Sequence, residues 1–408
     1  MINFIKNSLL LFFSLIITLY IIEGILLLSI PETEKNLTNI NKIRVENAKK
    51  LKVDFDLRSP NQAFDEMKDE IKDLSINYRY SKLFFNFKTF KEAKDKNQII
   101  PFRGPINKPT LTCAEDLQYK ISKNDKYGFK NSNETYKKDI DLIILGDSFA
   151  EGWCFNEKDD VSGLLKEKKI NSLNLGIAGA GPLLSLAVMK EYAKKYNPKY
   201  MFFFYCEAND LIDLEYEKNN FLLKKYLADN FSQGIIENLE SKNNFLEKMD
   251  KEINEKFFKI YYRKNLPQDE SKIFKERAKD FFEISKLKSL LKPLIFYQSD
   301  KENEILFFDI INKMNNFSKS NEIKFIFVYL PAWERYFAKF SKYNKYISKK
   351  DIILKKIDEM GIASIDIDKV FTEEENLEKL FPLNYYGHYS KLGYKKVANS
   401  IFLNLMEL

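Results

Sequence analysis

Apolar positions along this chain fall into three kinds of run. The first is a single long one: after Lys6, residues 8–30 are apolar apart from Ser8, Ser14, Thr18, Glu23 and Ser29. About 23 such residues can span a hydrocarbon core of roughly 30 Å. The run exceeds the apolar region of a signal peptide, and no small-residue cleavage site follows it. It predicts an uncleaved single-pass anchor over residues 1–30 in the inner (cytoplasmic) membrane, with Glu23 at a packing or interfacial position. Lys6 on the inside then sends the rest of the chain to the periplasmic or extracytoplasmic side, although Lys35 and Lys42 weigh against that orientation.

The second kind of run is short and unbroken. Residues 142–145, 172–175, 200–206, 325–330 and 362–367 are apolar segments of strand length. Between them lie helical patterns through 164–168 and 183–196, and an amphipathic closing helix follows at 392–406. Short buried strands alternating with helices predict an α/β fold, a parallel sheet with helices on both faces.

The third kind is mixed with charge. Residues 31–138 read as a membrane-proximal subdomain, helical near 40–57 and 63–76, extended near 98–112, with a turn at 124–129. Residues 139–408 form the α/β domain, interrupted after its third strand by a charged, helix-rich insertion over about 211–316. The Phe and Leu spacing of that insertion reads as ordinary packing, with a cap over the active site as the sharper alternative. There is no internal repeat and no low-complexity linker.

Composition narrows the function classes. The 408 residues allow one large domain or two ordinary ones, and a hydrophobic share of 45% with 35 Phe and 23 Tyr builds an aromatic core. Lys plus Arg number 66 against 59 Asp plus Glu, interleaved along the chain without a clustered basic face. Nucleic-acid binding is therefore not expected.

The candidate chemistry sits where the strands end. Gly146-Asp147-Ser148-Phe149 follows the first strand, and the only histidine of the chain, His388, lies in Gly387-His388-Tyr389-Ser390 before the last helix. A serine on a turn becomes a nucleophile only when a base takes its proton, and one histidine makes the candidate base unambiguous. Gly176 closes the second strand and Asn209 follows the third. Ligands of open α/β sheets bind beyond these carboxyl ends. One histidine and no close cysteine pair argue against catalytic zinc. Gly176 to Gly181 is not a dinucleotide fingerprint and no P-loop lysine follows it, so no metal or cofactor is expected.

These blocks resemble the SGNH (GDSL-type) hydrolase superfamily over residues from about 141 to the C-terminus. More narrowly, Cys113, Tyr127-Gly128-Phe129, Gly146-Asp147-Ser148-Phe149, Gly152 and Cys154 resemble membrane-anchored bacterial members linked to cell-surface polysaccharides. The stretches from Asn174 to Pro182 and from Glu207 to Asp210 fit that subgroup too. The resemblance implies a flavodoxin-like three-layer α/β/α fold. It also implies Ser148 as nucleophile, His388 as base, and an oxyanion hole from the Ser148 and Gly176 backbone N–H groups and the Asn209 amide. Asp147 is expected to fix the turn.

The implied function is that of an ester-active serine enzyme on acylated carbohydrate, either an esterase or an O-acetyltransferase. The membrane is reached through the N-terminal helix, and a membrane acyl-transfer partner is a further candidate. The alternative is a glycan-binding scaffold with little catalysis. Cys113 with Cys154 is the favoured disulfide, which would tie the preceding segment to the Ser148 helix; Cys206 reads as a buried free thiol.

Two positions depart from the superfamily pattern. Tyr385 stands three residues before His388, where many relatives carry Asp. A backbone carbonyl would then orient the histidine in a Ser–His dyad, with Asp366 and Asp368 as other candidates. Glu207 stands where many relatives have Gly, and is expected to contact substrate or Tyr205.

Overall fold

The protein was analysed as a computed structural model, which describes residues 2–29, 37–81, 84–115, 117–261, 278–279, 281–284, 297–338 and 344–407. Two compact units emerge: residues 1–43 with 261–302, and residues 44–260 with 303–408.

In the first unit the long apolar run folds as helix α1, Ile2–Ser29. The Tyr20 ring lies 5.3 Å from that of Phe281, while Leu10, Leu11, Phe12, Phe13, Ile17 and Ile21 are exposed. Several α1 side chains lie outside the described residues. Among the described residues no helix is long and apolar enough to cross a membrane.

The second unit opens with α2 (Leu37–Leu51, from Arg44 onward), α3 (Pro60–Met67) and α4 (Lys88–Asp95). Ser59 starts α3 through a capping box with Gln62, satisfying two backbone donors that the helix itself leaves open. Two small antiparallel pairs follow: β1 (Tyr78–Arg79) with β2 (Arg103–Gly104), and β3 (Pro109–Leu111) with β4 (Ile121–Lys123).

Residues 44–138 share this unit with the main sheet. They join it through buried polar contacts. Arg103 pairs with Glu151, Lys130 pairs with Asp160, and Asn131 bonds both backbone groups of Asn174.

The sheet itself is built from β5 (Leu142–Gly146), β6 (Ser172–Asn174), β7 (Tyr200–Cys206), β8 (Lys324–Leu330) and β9 (Ala363–Asp366). Every pairing is parallel, and the spatial order is β6-β5-β7-β8-β9. Within the sheet this is the 2-1-3-4-5 order of flavodoxin-like folds, whose ligand crevice opens between the first and third strands. Every residue of β5 is buried, as both faces of a parallel sheet require.

The first crossover, through α6 (Val161–Glu167), runs outward to β6. The second, through α7 (Pro182–Val188), runs back to β7. Right-handed crossovers in opposite directions put these helices on opposite faces. Accordingly α6 packs with the closing helix, Lys391–Glu407, and α7 packs with α8, Asp210–Glu217. The helix expected over 183–196 continues from α7 as a π-helical turn, Met189–Ala193, and a 3-10 turn, Lys194–Tyr196. Beyond α8, the expected insertion contributes α9 (Leu239–Tyr261) and α10 (Tyr297–Ser320).

Candidate active site

β5 ends at Gly146, and the chain turns at Asp147 into the one-turn helix α5, Ser148–Glu151. The Asp147 carboxylate makes that turn: it accepts the Phe149 N–H at 2.9 Å and the Asn209 side-chain N–H at 2.7 Å. Asp147 is fully buried, and desolvation raises its pKa against those donors. It therefore holds the crevice together, as expected of a turn-fixing residue.

Ser148 Oγ lies 2.8 Å from Nε2 of His388. Behind the imidazole, Nδ1 lies 2.7 Å from Oε2 of Glu115, and the same oxygen accepts the His388 backbone N–H at 3.2 Å. The carboxylate fixes the tautomer: Nδ1 carries the proton and Nε2 is free to accept from the serine hydroxyl. Ring contacts complete the setting, with Phe149 4.8 Å and Trp153 6.4 Å from the imidazole. The Arg79 guanidinium sits 4.8 Å over Trp153.

The line of groups is electrostatically coupled. Burial alone would raise the Glu115 pKa, but His388 and Arg44 outweigh it and hold the carboxyl well below the usual range. Burial would lower the His388 pKa, yet the Glu115 carboxylate raises it overall. Arg44 of α2 makes the outer contact, its Nη2 3.1 Å from Glu115 Oε1.

The dyad expected from Tyr385 is replaced by this arrangement. The orienting carboxylate comes from Glu115, 273 residues away in sequence. Asp366 and Asp368 instead pair with Lys350. Tyr385 packs its ring 5.4 Å from that of Trp333. Sequence reasoning missed Glu115 and Arg44. The available signal was the disulfide: Cys113 is bridged to Cys154, six residues past Ser148, so a carboxylate two residues from Cys113 must fall near the serine. Cys206 is free and buried.

Two oxyanion-hole expectations change. The Gly176 N–H is already donated to Asn174 Oδ1 at 2.9 Å. The missing Cβ serves packing, because one would come within 2.4 Å of the Glu151 nitrogen. The Asn209 amide lies beside the crevice but donates to Asp147 and, at 3.3 Å, to Asp213. Glu207 is corrected as well. It is fully buried and accepts from Tyr329 Oη, the Ala332 N–H and Arg335, so it braces the ends of β7 and β8 rather than facing a substrate or bonding Tyr205. Among the described residues no group of His, Cys, Asp and Glu could hold a metal ion.

No family model and no curated protein matches the chain. Among solved structures it is similar to a lipolytic protein of the G-D-S-L family from Desulfitobacterium hafniense, at 15% identity over 64% of this chain and 96% of that one, with a TM-score of 0.36. It is similar to a lipase/acylhydrolase from Enterococcus faecalis at 12% identity, over 65% of this chain and 94% of that one, TM-score 0.34. An acetylxylan esterase from Geobacillus stearothermophilus gives 12% identity over 64% and 92%, TM-score 0.33. At this level of likeness, function has to be read from the chain's own residues.

Proposed function

We propose that the chain is an ester-active serine enzyme, with Ser148 as nucleophile, His388 as general base and Glu115 as the carboxylate that orients it. The observation carrying this reading is the unbroken hydrogen-bond line from Ser148 Oγ through the imidazole to Glu115. A neutral imidazole accepting from a serine hydroxyl at this distance can take its proton as Oγ attacks an acyl carbonyl. The C–O bond to the leaving alkoxide then breaks as His388 returns the proton to it. In the second half, His388 deprotonates water or an acceptor hydroxyl, which attacks the acyl-enzyme and frees Ser148. With water the enzyme is an esterase; with a sugar hydroxyl it is an O-acyltransferase.

Oxyanion stabilisation would come from the Ser148 backbone N–H and from Asn209, once its amide turns from Asp147 to the developing charge. Gly176 is left out of this set because its N–H is committed to Asn174. With only one turn of helix behind Ser148, a long-helix dipole contributes little here.

The substrate class we infer is the O-acylated carbohydrate of a cell surface, with α1 as an anchor that keeps the catalytic unit outside the cytoplasm. The motif resemblance and the apolar run over residues 8–30 support this. The scaffold alternative rests on the missing carboxylate at position 385; the Glu115 carboxylate 2.7 Å from Nδ1 favours the catalytic reading over it. The test is labelling with a serine-directed fluorophosphonate, read by peptide mass spectrometry. Modification at Ser148 that disappears in His388→Ala is expected; a folded wild-type protein that resists the probe would overturn the reading.

A further inference from the structure

Helix α2 reaches the histidine loop at two points. Arg44 Nη2 donates to the Tyr386 carbonyl at 3.0 Å while also pairing with Glu115 Oε1 at 3.1 Å. One turn on, Asn47 Nδ2 donates to the Leu383 carbonyl at 2.9 Å. The segment so held is an awkward one. Leu383 and Asn384 have φ of 53° and 54°, left-handed values that side chains with a Cβ disfavour. A loop of this kind keeps its shape only when its surroundings impose it.

The next residues show how close the contact is. A Cβ on Gly387 would lie 3.1 Å from Arg44 Nη2 and 3.3 Å from Glu115 Oε2. Arg44 is 7% exposed, so its charge acts in a poorly solvated setting. The charged groups that face His388 are Glu115 from the 113–115 segment, Arg44 from α2 and Asp147 from the β5–α5 turn. Ser148, Phe149 and Trp153 supply the uncharged walls.

We propose that Arg44 and Asn47 of α2 are positioning residues of the active site: together they clamp the 383–388 loop, and Arg44 holds the Glu115 carboxylate on His388. This rests on the catalytic reading above and extends it, because α2 lies outside the α/β sheet that carries Ser148 and Asn209. The catalytic apparatus is then complete only when residues 44–51 of α2 are docked.

The two residues divide the work. Arg44 is electrostatic as well as mechanical, since its cation opposes formation of the imidazolium while also keeping Glu115 ionised. Asn47 is mechanical only, a neutral donor on the strained part of the loop. A merely structural role would lower stability without moving the His388 titration in an Arg44 variant, and without lowering kcat of the folded protein in an Asn47 variant.

The chain's one histidine makes the test clean. Full-length protein carrying isotope-labelled histidine gives a single imidazole signal, to be titrated by NMR in wild type, Arg44→Ala, Arg44→Lys and Asn47→Ala. Steady-state kinetics on p-nitrophenyl acetate accompany it. Arg44→Ala should move the His388 titration to higher pH and lower kcat by about 10–100-fold, by analogy with groups that orient metal ligands from behind, with KM little changed. Arg44→Lys should keep the titration near wild type but lose part of kcat, because one ammonium cannot reproduce the fork. Asn47→Ala should lower kcat without moving the titration.

A folded Arg44→Ala protein with unchanged titration and unchanged kcat overturns the proposal. If that variant does not fold, unchanged kcat in both Arg44→Lys and Asn47→Ala overturns it instead. Absence of any turnover by wild type would sink the catalytic reading, while the titrations would still decide whether Arg44 sets the charge on the histidine.

Discussion

Glu115 Oε2 lies 2.7 Å from His388 Nδ1, and neither residue belongs to the strands that build the crevice. His388 comes from the loop before the closing helix. Glu115 comes from a turn between β3 and β4, ahead of the parallel sheet, fastened two residues earlier by the Cys113–Cys154 bridge. The histidine and the carboxylate that faces it are thus brought together by tertiary docking, and each part of that docking has a measurable consequence.

Replacing Glu115 by Gln keeps the shape and removes the charge. In wild type the carboxylate raises the His388 pKa above the ordinary imidazole value of about 6.5. Because the base must be neutral, kcat/KM should rise with pH through a midpoint above that value. In Glu115→Gln burial is opposed only by the more weakly acting Asp147, so the midpoint should move down. The plateau should also fall, by about 10⁴-fold if the role matches that of a triad carboxylate elsewhere. A pH profile on an aryl acetate measures both. A plateau within a few-fold of wild type would remove Glu115 from the mechanism.

Cutting the bridge tests how Glu115 is delivered. The disulfide closes a loop with a sequence separation of 41, worth roughly 4 kcal/mol in the chain-entropy model. Reduction, or Cys113→Ser, should lower the melting temperature and slow fluorophosphonate labelling of Ser148. Reductant should slow the labelling of Cys206→Ser as it does that of wild type, because that thiol is free and takes no part in the bridge. Equal labelling rates with and without reductant would show that the segment docks without its covalent tie.

Much of this site was legible in the chain, for a physical reason. Strands buried on both faces must be continuously apolar, so β5, β7 and β8 stood out, and with them the residues at their carboxyl ends. That logic put Ser148 and Asn209 at strand ends; their expected roles came from the motif resemblance. Glu115 was not, because nothing local separates it from any other surface glutamate; only the bridge brings it inward. Glu207 misled for the same reason in reverse. Its partners Tyr329 and Arg335 come from a strand and helix more than 120 residues on. Gly176 is a different case. Asn174, two residues earlier, turns its side chain back onto the local backbone, a competition that Asn offers wherever chains turn.

Half-buried Asp213 and buried Glu217, behind Asn209, set the response to alkaline pH. Desolvation, helped by the nearby charges of Glu217 and Asp147, pushes Asp213 up to about 8. Desolvation takes Glu217 to about 7, although three backbone N–H groups bond it. For an acid whose folded pKa is raised, stability is fully present below the unfolded value and is lost as pH climbs through the folded one. For Asp213 that window runs from about 4 to about 8. Asp213→Asn should therefore change the melting temperature little near pH 4 and raise it by several degrees relative to wild type at pH 9. Parallel melting curves for the two proteins across this range would disprove the raised pKa.

The last prediction separates packing from catalysis at Gly176. An added Cβ would come within 2.4 Å of the Glu151 nitrogen, 2.8 Å of the Ala150 carbonyl carbon and 2.9 Å of the Glu151 Cα. All three are backbone atoms of α5, so no side chain can swing aside to make room. Relief requires the β6 end and the Ser148 helix to move apart. Such a shift would also disturb the bond from the Asn174 amide to the Ala150 carbonyl, 2.8 Å long. Overpacking of this kind typically costs about 1–3 kcal/mol, and rigid backbone on the receiving side argues for the upper end. If Gly176 instead serves only as an oxyanion donor, alanine keeps the N–H and should leave stability intact. Gly176→Ala is expected to lower the denaturant midpoint clearly and to slow Ser148 labelling because α5 is displaced. Wild-type stability in that variant would return the Gly176 N–H to the list of candidates for the oxyanion hole.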